Sequence, residues 1–160
     1  KQNKQTKPKN ILVTIFQPSS LSSTQFQSAV CKDNFQMNWS PLHFAANAAQ
    51  FEICEFIIKN VSNKCLRDAD KKIPLHYAAK NGSLEICKLL WENCEEKNIP
   101  DVSGHTPLHE AAQHGHLDVY NFILTNVDDK KPLDQKGRTP LAWAKNSKCI
   151  CHNGKFVEKM

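Results

Sequence analysis

Apolar residues recur along this chain in paired short segments at helical spacing. Leu42 with Ala45 and Ala46 sets an i, i+3, i+4 stripe, and Leu75 with Ala78 and Ala79 and Leu108 with Ala111 and Ala112 reproduce it. A more strongly apolar segment follows each stripe, at Phe51 to Ile58, Leu84 to Trp91 and Leu117 to Leu124. The periodicity predicts two short antiparallel helices per unit. Ser40, Thr106 and Thr139 stand where a hydroxyl caps the amides of a helix that begins at Pro41, Pro107 or Pro140, a position where proline's missing N–H costs nothing. Gly82 and Gly115 supply a left-handed residue that stops the first helix, and Asn60, Asn93 and Asn126 are read as closing the second in the same conformation. Asp101 to Gly104 and Asp134 to Gly137 carry the Asp-first, Gly-fourth pattern of a type I turn, so a hairpin-like finger is expected between units.

The first-helix stripe belongs to a longer repeat. Pro-Leu-His-X-Ala-Ala occurs at Pro41, Pro74 and Pro107, and a worn copy, Pro-Leu-Ala-Trp-Ala-Lys, begins at Pro140, all at the same interval of 33 residues. Units repeated at fixed spacing bury their apolar faces on one another and fold as a stack. On these residues, over roughly 31–150, the chain resembles the ankyrin-repeat family, whose signature is this period with Thr-Pro-Leu-His-X-Ala. The resemblance implies an all-α ankyrin-repeat solenoid of stacked helix-turn-helix units with projecting finger loops. It also implies a concave surface lined by finger tips and first helices. Residues 1–30 are then a flexible or irregular N-terminal segment or the remnant of a preceding repeat; 31–70, 71–103 and 104–136 are repeats one to three; and 137–160 form a degenerate C-terminal capping repeat.

Departures from the pattern mark strain and ends. Ile73 replaces the cap hydroxyl, a loss of about 1 kcal/mol if the side chain caps the helix. Ala49 and Lys71 replace the turn and finger glycines, where a β-carbon strains a positive φ. Relative to the family, the finger before Ser40 holds two extra residues near Gln36 and Met37. In the fourth copy, His152, Asn153 and Lys155 fall at positions that are apolar elsewhere, and Gly154 weakens the helix expected over Ile150 to Val157; a polar outer face suits a terminal cap.

Charge changes the picture only once it is located. The net charge is +5, but Lys1, Lys4, Lys7, Lys9, Lys145, Lys148, Lys155 and Lys159 sit in the tails, leaving residues 10–144 with thirteen basic against fifteen acidic groups. The repeats are therefore not a polyanion-binding surface, and no nucleic-acid ligand is expected. With 40% hydrophobic residues the chain needs no covalent staple. Seven cysteines without a secretory segment read as reduced thiols in an intracellular compartment, cytoplasmic or nuclear. The longest apolar run, Ile11 to Phe16, is too short for a membrane span, so direct membrane insertion is not expected.

Candidate chemistry is sparse. His43, His76 and His109 lie one per repeat, about 8–10 Å apart if their helices pack side by side, too far for shared metal ligation, and are read as bonding finger backbone or cap hydroxyl. Cys54 and Cys87 are repeat-equivalent core thiols. Cys149-Ile-Cys151-His152 has soft ligands but no second pair, and no phosphate loop, nucleophile elbow or His-Glu-X-X-His occurs. Neither a catalytic site, a metal nor a cofactor is expected. The family resemblance instead transfers a concave binding face position by position, onto Trp39, Phe44 and Asn47; Lys72, Tyr77 and Lys80; His105, Glu110 and Gln113; and Arg138, Trp143 and Asn146. The expectation is a monomeric, non-enzymatic module that binds a protein or peptide segment. The alternative is a structural or regulatory segment of a larger protein, such as a channel, kinase or ubiquitin-ligase subunit, packing intramolecularly.

Overall fold

The computed structural model describes residues 38–61 and 66–146. The N-terminal segment, the insertion near Gln36 and Met37, the second helix expected at Ile150 to Val157 and the Cys149-Ile-Cys151-His152 cluster lie outside the described residues. Seven helices are described and no strand: α1 Pro41–Asn47, α2 Phe51–Asn60, α3 Pro74–Asn81, α4 Leu84–Asn93, α5 Pro107–His114, α6 Leu117–Asn126 and α7 Pro140–Asn146. The first helices α1, α3, α5 and α7 pack side by side as one layer, and α2, α4 and α6 form the second. Between the layers, the paired alanines of α1, α3 and α5 are fully buried with Leu75, Leu90, Leu108, Val119 and Ile123. Alanine at those positions permits close helix approach, so the stack depends on small residues in the first layer and large ones in the second.

The helix starts differ from expectation. Ser40 and Thr106 do not cap helix amides; their hydroxyls contact His43 Nδ1 at 2.7 Å and His109 Nδ1 at 3.1 Å. Only Thr139, whose repeat carries Ala142 in place of the histidine, takes a helix amide, Ala142 N–H at 3.4 Å. Ile73 therefore forfeits no hydroxyl–amide cap of the kind expected, and its side chain is buried in the core. The helix ends also differ. Asn60, Asn93 and Asn126 remain helical, each donating its side-chain amide to the carbonyl four residues earlier at 2.7, 2.8 and 2.7 Å. The following residues, Val61, Cys94 and Val127, are extended, so these helices end with the asparagine side chain folded back onto the last turn rather than with a left-handed residue.

Gly82 and Gly115 stop α3 and α5 at φ 72° and 77°, as expected. Ala49 and Lys71 hold the same region, at φ 53° and 60°. A β-carbon on Gly82 would lie 2.3 Å from the His116 ring, whereas the residue one repeat before His116 is the smaller Ser83. Substitution Ala49→Gly is expected to stabilise the protein by about 0.5–1 kcal/mol, because relief of left-handed strain exceeds the unfolded-state entropy glycine adds. Urea unfolding followed by circular dichroism measures it, and a lower midpoint would contradict the strain.

Candidate interaction surface

Three histidines fasten the first helices to the fingers. His43, His76 and His109 each occupy the third helical position, where Nδ1 accepts the amide of Ser40, Ile73 or Thr106 at 3.0–3.1 Å. That contact places the ring proton on Nε2, which donates to the carbonyl of Lys72, His105 or Arg138 at 3.0, 3.1 and 3.2 Å. Each acceptor is 29 residues ahead, in the finger entering the next repeat. Burial lowers the pKa of all three, to about 4 for His76.

Each finger is in turn built on one buried aspartate. Asp68, Asp101 and Asp134 accept through Oδ1 the amides two and four residues on, at 2.8–2.9 Å. Their backbones close a turn to Lys71, Gly104 and Gly137. Adjacent tips are bonded too, Val102 N–H to the Asp70 carbonyl at 2.9 Å and Gln135 N–H to the Ser103 carbonyl at 3.1 Å. A β-carbon on Gly104 would lie 2.7 Å from the Gln135 amide nitrogen, so this glycine serves close approach as well as its φ of 81°.

The second carboxylate oxygen of each aspartate faces the fourth residue of the first helix that follows it. Tyr77 donates its hydroxyl to Asp68 Oδ2 at 2.6 Å, and Trp143 donates its indole N–H to Asp134 Oδ2 at 3.1 Å. In the third repeat that residue is Glu110, a like charge beside Asp101. Lys72 from the preceding finger resolves the conflict, its Nζ 2.6 Å from Glu110 Oε1 and 3.6 Å from Asp101 Oδ2. Burial works to discharge Lys72, but the Glu110 bond and the two carboxylates outweigh it and raise its pKa. Asp101, His105 and Glu110 bring possible metal-ligating atoms within 4.8 Å of one another. The ammonium of Lys72 already supplies the positive charge this cluster needs. At Asp134 burial opposes ionisation, yet the Arg138 and Lys136 amides, the Trp143 indole and the Arg138 guanidinium hold the carboxyl far below the usual range.

The sequence-predicted face resolves into distinct roles. Trp39 packs edge-on against Phe44 and Tyr77, with ring centroids 4.9 and 4.7 Å apart. His105 packs edge-on against Trp143 at 4.8 Å, and the Arg138 guanidinium lies 4.1 Å over the Trp143 ring. Tyr77 is only 8% exposed and Glu110 only 4%, so both face inward and lock fingers. Asn47 and Lys80 are exposed, Phe44, Gln113, Arg138 and Trp143 are half-buried, and Asn146 ends α7. The turns begun by Asp101 and Asp134 were expected from sequence, whereas the equivalent role of Asp68 and the Lys72 bridge were not, although the aspartates' regular spacing at 68, 101 and 134 was a usable signal.

Cys54 and Cys87 are free and buried, which pushes each thiol up to about 12 and leaves it inert. No helix among the described residues is long and apolar enough to cross a membrane.

Two helical layers, repeated histidine ties and bonded fingers define an all-helical repeat solenoid. A family model described as Ankyrin repeats matches three times, over residues 19–101, 42–133 and 95–153, and the chain belongs to the ankyrin-repeat family. A search of individually curated proteins found no match. Ankyrin repeats are generally protein–protein interaction modules and are typically non-enzymatic.

Proposed function

We propose that this protein is a non-enzymatic interaction module that binds a segment of a partner protein along the face formed by its fingers and first helices. The observation that carries this reading is the internal locking of that face. Histidines, aspartates and Lys72 fix its geometry from within, while Asn47, Lys80 and the half-buried Gln113 remain towards solvent. A surface ordered before binding loses little further entropy when a partner arrives.

The test is affinity capture from cell extract with mass spectrometry, comparing the wild-type protein with Asn47→Arg/Gln113→Arg and with Glu85→Ala on the second-helix layer. The concave variant is expected to lose specific partners that the Glu85 variant keeps. Equal capture by all three folded proteins would overturn the assignment. Tyr77 and Glu110 are unsuitable probes, because truncating either disturbs the fold.

A further inference from the structure

We infer that the partner segment is acidic and extended, with two carboxylates about five or six residues apart flanking an apolar side chain. The inference rests on the proposed binding face and follows from how charge is sorted across the stack. The finger turns and first helices, over residues 41–47, 68–81, 101–114 and 134–144, contain the acidic residues Asp68, Asp70, Asp101, Glu110 and Asp134. All but Asp70 are buried and bonded within the protein. The basic residues of the same layer behave oppositely. Lys71, Lys80 and Lys136 are exposed and make no side-chain bond or ion pair among the described residues, while Lys72 and Arg138 are neutralised by Glu110 and Asp134. The second helices carry Glu52, Glu55, Glu85, Glu92 and Asp118 against Lys59 and Lys88 alone. Three exposed lysines thus face one exposed carboxylate, Asp70, on the finger turns and first helices, whereas the second helices carry an acidic excess; in the segments joining them Arg67, Lys97, Lys130 and Lys131 balance Glu95, Glu96, Asp128 and Asp129.

The positions of these groups set the pattern a ligand must match. Lys71 and Lys136 stand on the first and third described finger tips, and Val102, 43% exposed, stands on the tip between them. Neighbouring repeats are spaced by about 8–10 Å, so the outer tips are about 16–20 Å apart. An extended peptide covers that span in about five or six residues. Lys80 lies one turn beyond Tyr77 and His76 on the finger-facing side of α3, within the same concavity. A polyanionic nucleic acid fits less well. It presents a phosphate about every 3.4 Å per strand, far denser than these lysines, and seeks open aromatic faces for stacking. Here Trp39, Tyr77 and Trp143 are already engaged by neighbouring rings or Arg138.

The experiment uses a fluorescently labelled peptide of about twelve residues with two glutamates six positions apart, valine between them and a Ser/Thr/Ala background. Its lysine counterpart and an oligothymidylate of equal length serve as competing probes. Titration by anisotropy is expected to show the acidic peptide binding about tenfold more tightly than the lysine version, and less so as salt rises. Lys71→Glu/Lys80→Glu/Lys136→Glu is expected to abolish that preference, whereas Lys88→Glu on α4 leaves it unchanged. No saturable binding of the acidic peptide, no charge preference, a preference surviving the triple reversal, or tighter binding of oligothymidylate would each overturn the inference. If the peptide preference is absent but Asn47→Arg/Gln113→Arg still loses captured partners, the interaction surface stands and only its acidic ligand is wrong; if capture is also unchanged, both fail.

Discussion

Substitution Lys72→Ala is expected to destabilise the protein by about 3 kcal/mol, the magnitude seen when one member of a buried ion pair is removed. The side chains of Glu110 and Asp101 are 5% and 3% exposed, and without the ammonium they would face each other in a site that admits little water. The raised pKa of Lys72 means that its contribution is fully present below the unfolded value of about 10.4 and is lost as pH rises through the folded value. The companion variant Lys72→Ala/Glu110→Gln separates charge from packing. Neutralising Glu110 removes the repulsion, so the double variant is expected to recover about half of the loss, a coupling that a double-mutant cycle measures. Urea unfolding of the four proteins reads both quantities. A Lys72→Ala midpoint within about 0.5 kcal/mol of wild type would show that the bridge contributes no more than a surface pair.

The same network explains which features were legible in the sequence. The histidine ties were legible because an identical side chain recurs in an identical local frame, and a lone imidazole per helix has few partners other than neighbouring backbone. The strained turns at Ala49 and Lys71 were legible because a glycine position retains its φ whatever residue fills it. The burial of Tyr77 and Glu110 was not. Each was expected on the surface because it follows the signature histidine, but its partner is a finger residue, Asp68 for one and Lys72, 38 residues away, for the other. Side chains at one repeat position thus range from half-exposed Phe44 to buried Glu110, according to what the adjacent finger offers. The cap hydroxyls and terminal asparagines were misjudged for a related reason. Sequence identifies a residue able to satisfy an orphan backbone group, but the partner it takes instead, a histidine ring for a hydroxyl or a carbonyl of the preceding turn for an asparagine, appears only with the fold.

A face fixed by buried polar groups also ties recognition to stability. The fingers presenting Lys71, Val102 and Lys136 are held by the aspartates and by the histidine bonds to Lys72, His105 and Arg138. Loosening those bonds would release the tips before the apolar layers separate, since Leu75, Leu90 and Leu108 lie in the core between the layers. Acid is the simplest way to loosen them.

Lowering the pH from 7 to roughly 4.5 is expected to cost several kcal/mol of stability, and the histidines set that window. In His76, Nδ1 faces the Ile73 amide and Nε2 already donates to the His105 carbonyl, so a second ring proton would meet an N–H. Its folded pKa of about 4 lies below the unfolded value of 6.5, so in between the unfolded chain binds the proton first and acidification favours unfolding. At about 1.4 kcal/mol per unit, His76 alone accounts for about 3 kcal/mol by the time the pH reaches its folded pKa. His43 and His109 are shifted in the same direction and add to the loss. Asp134, depressed instead, acts in a separate window, keeping its stabilisation above the unfolded carboxylate value of about 4 and losing it only as pH falls further. His76→Gln keeps a donor towards the His105 carbonyl but does not titrate. Its stability is expected to start lower at pH 7 and to fall less steeply than wild type on acidification, as read from thermal or urea unfolding at successive pH values. Parallel curves for the two proteins between pH 7 and about 4.5 would show that the buried imidazole does not govern the acid transition.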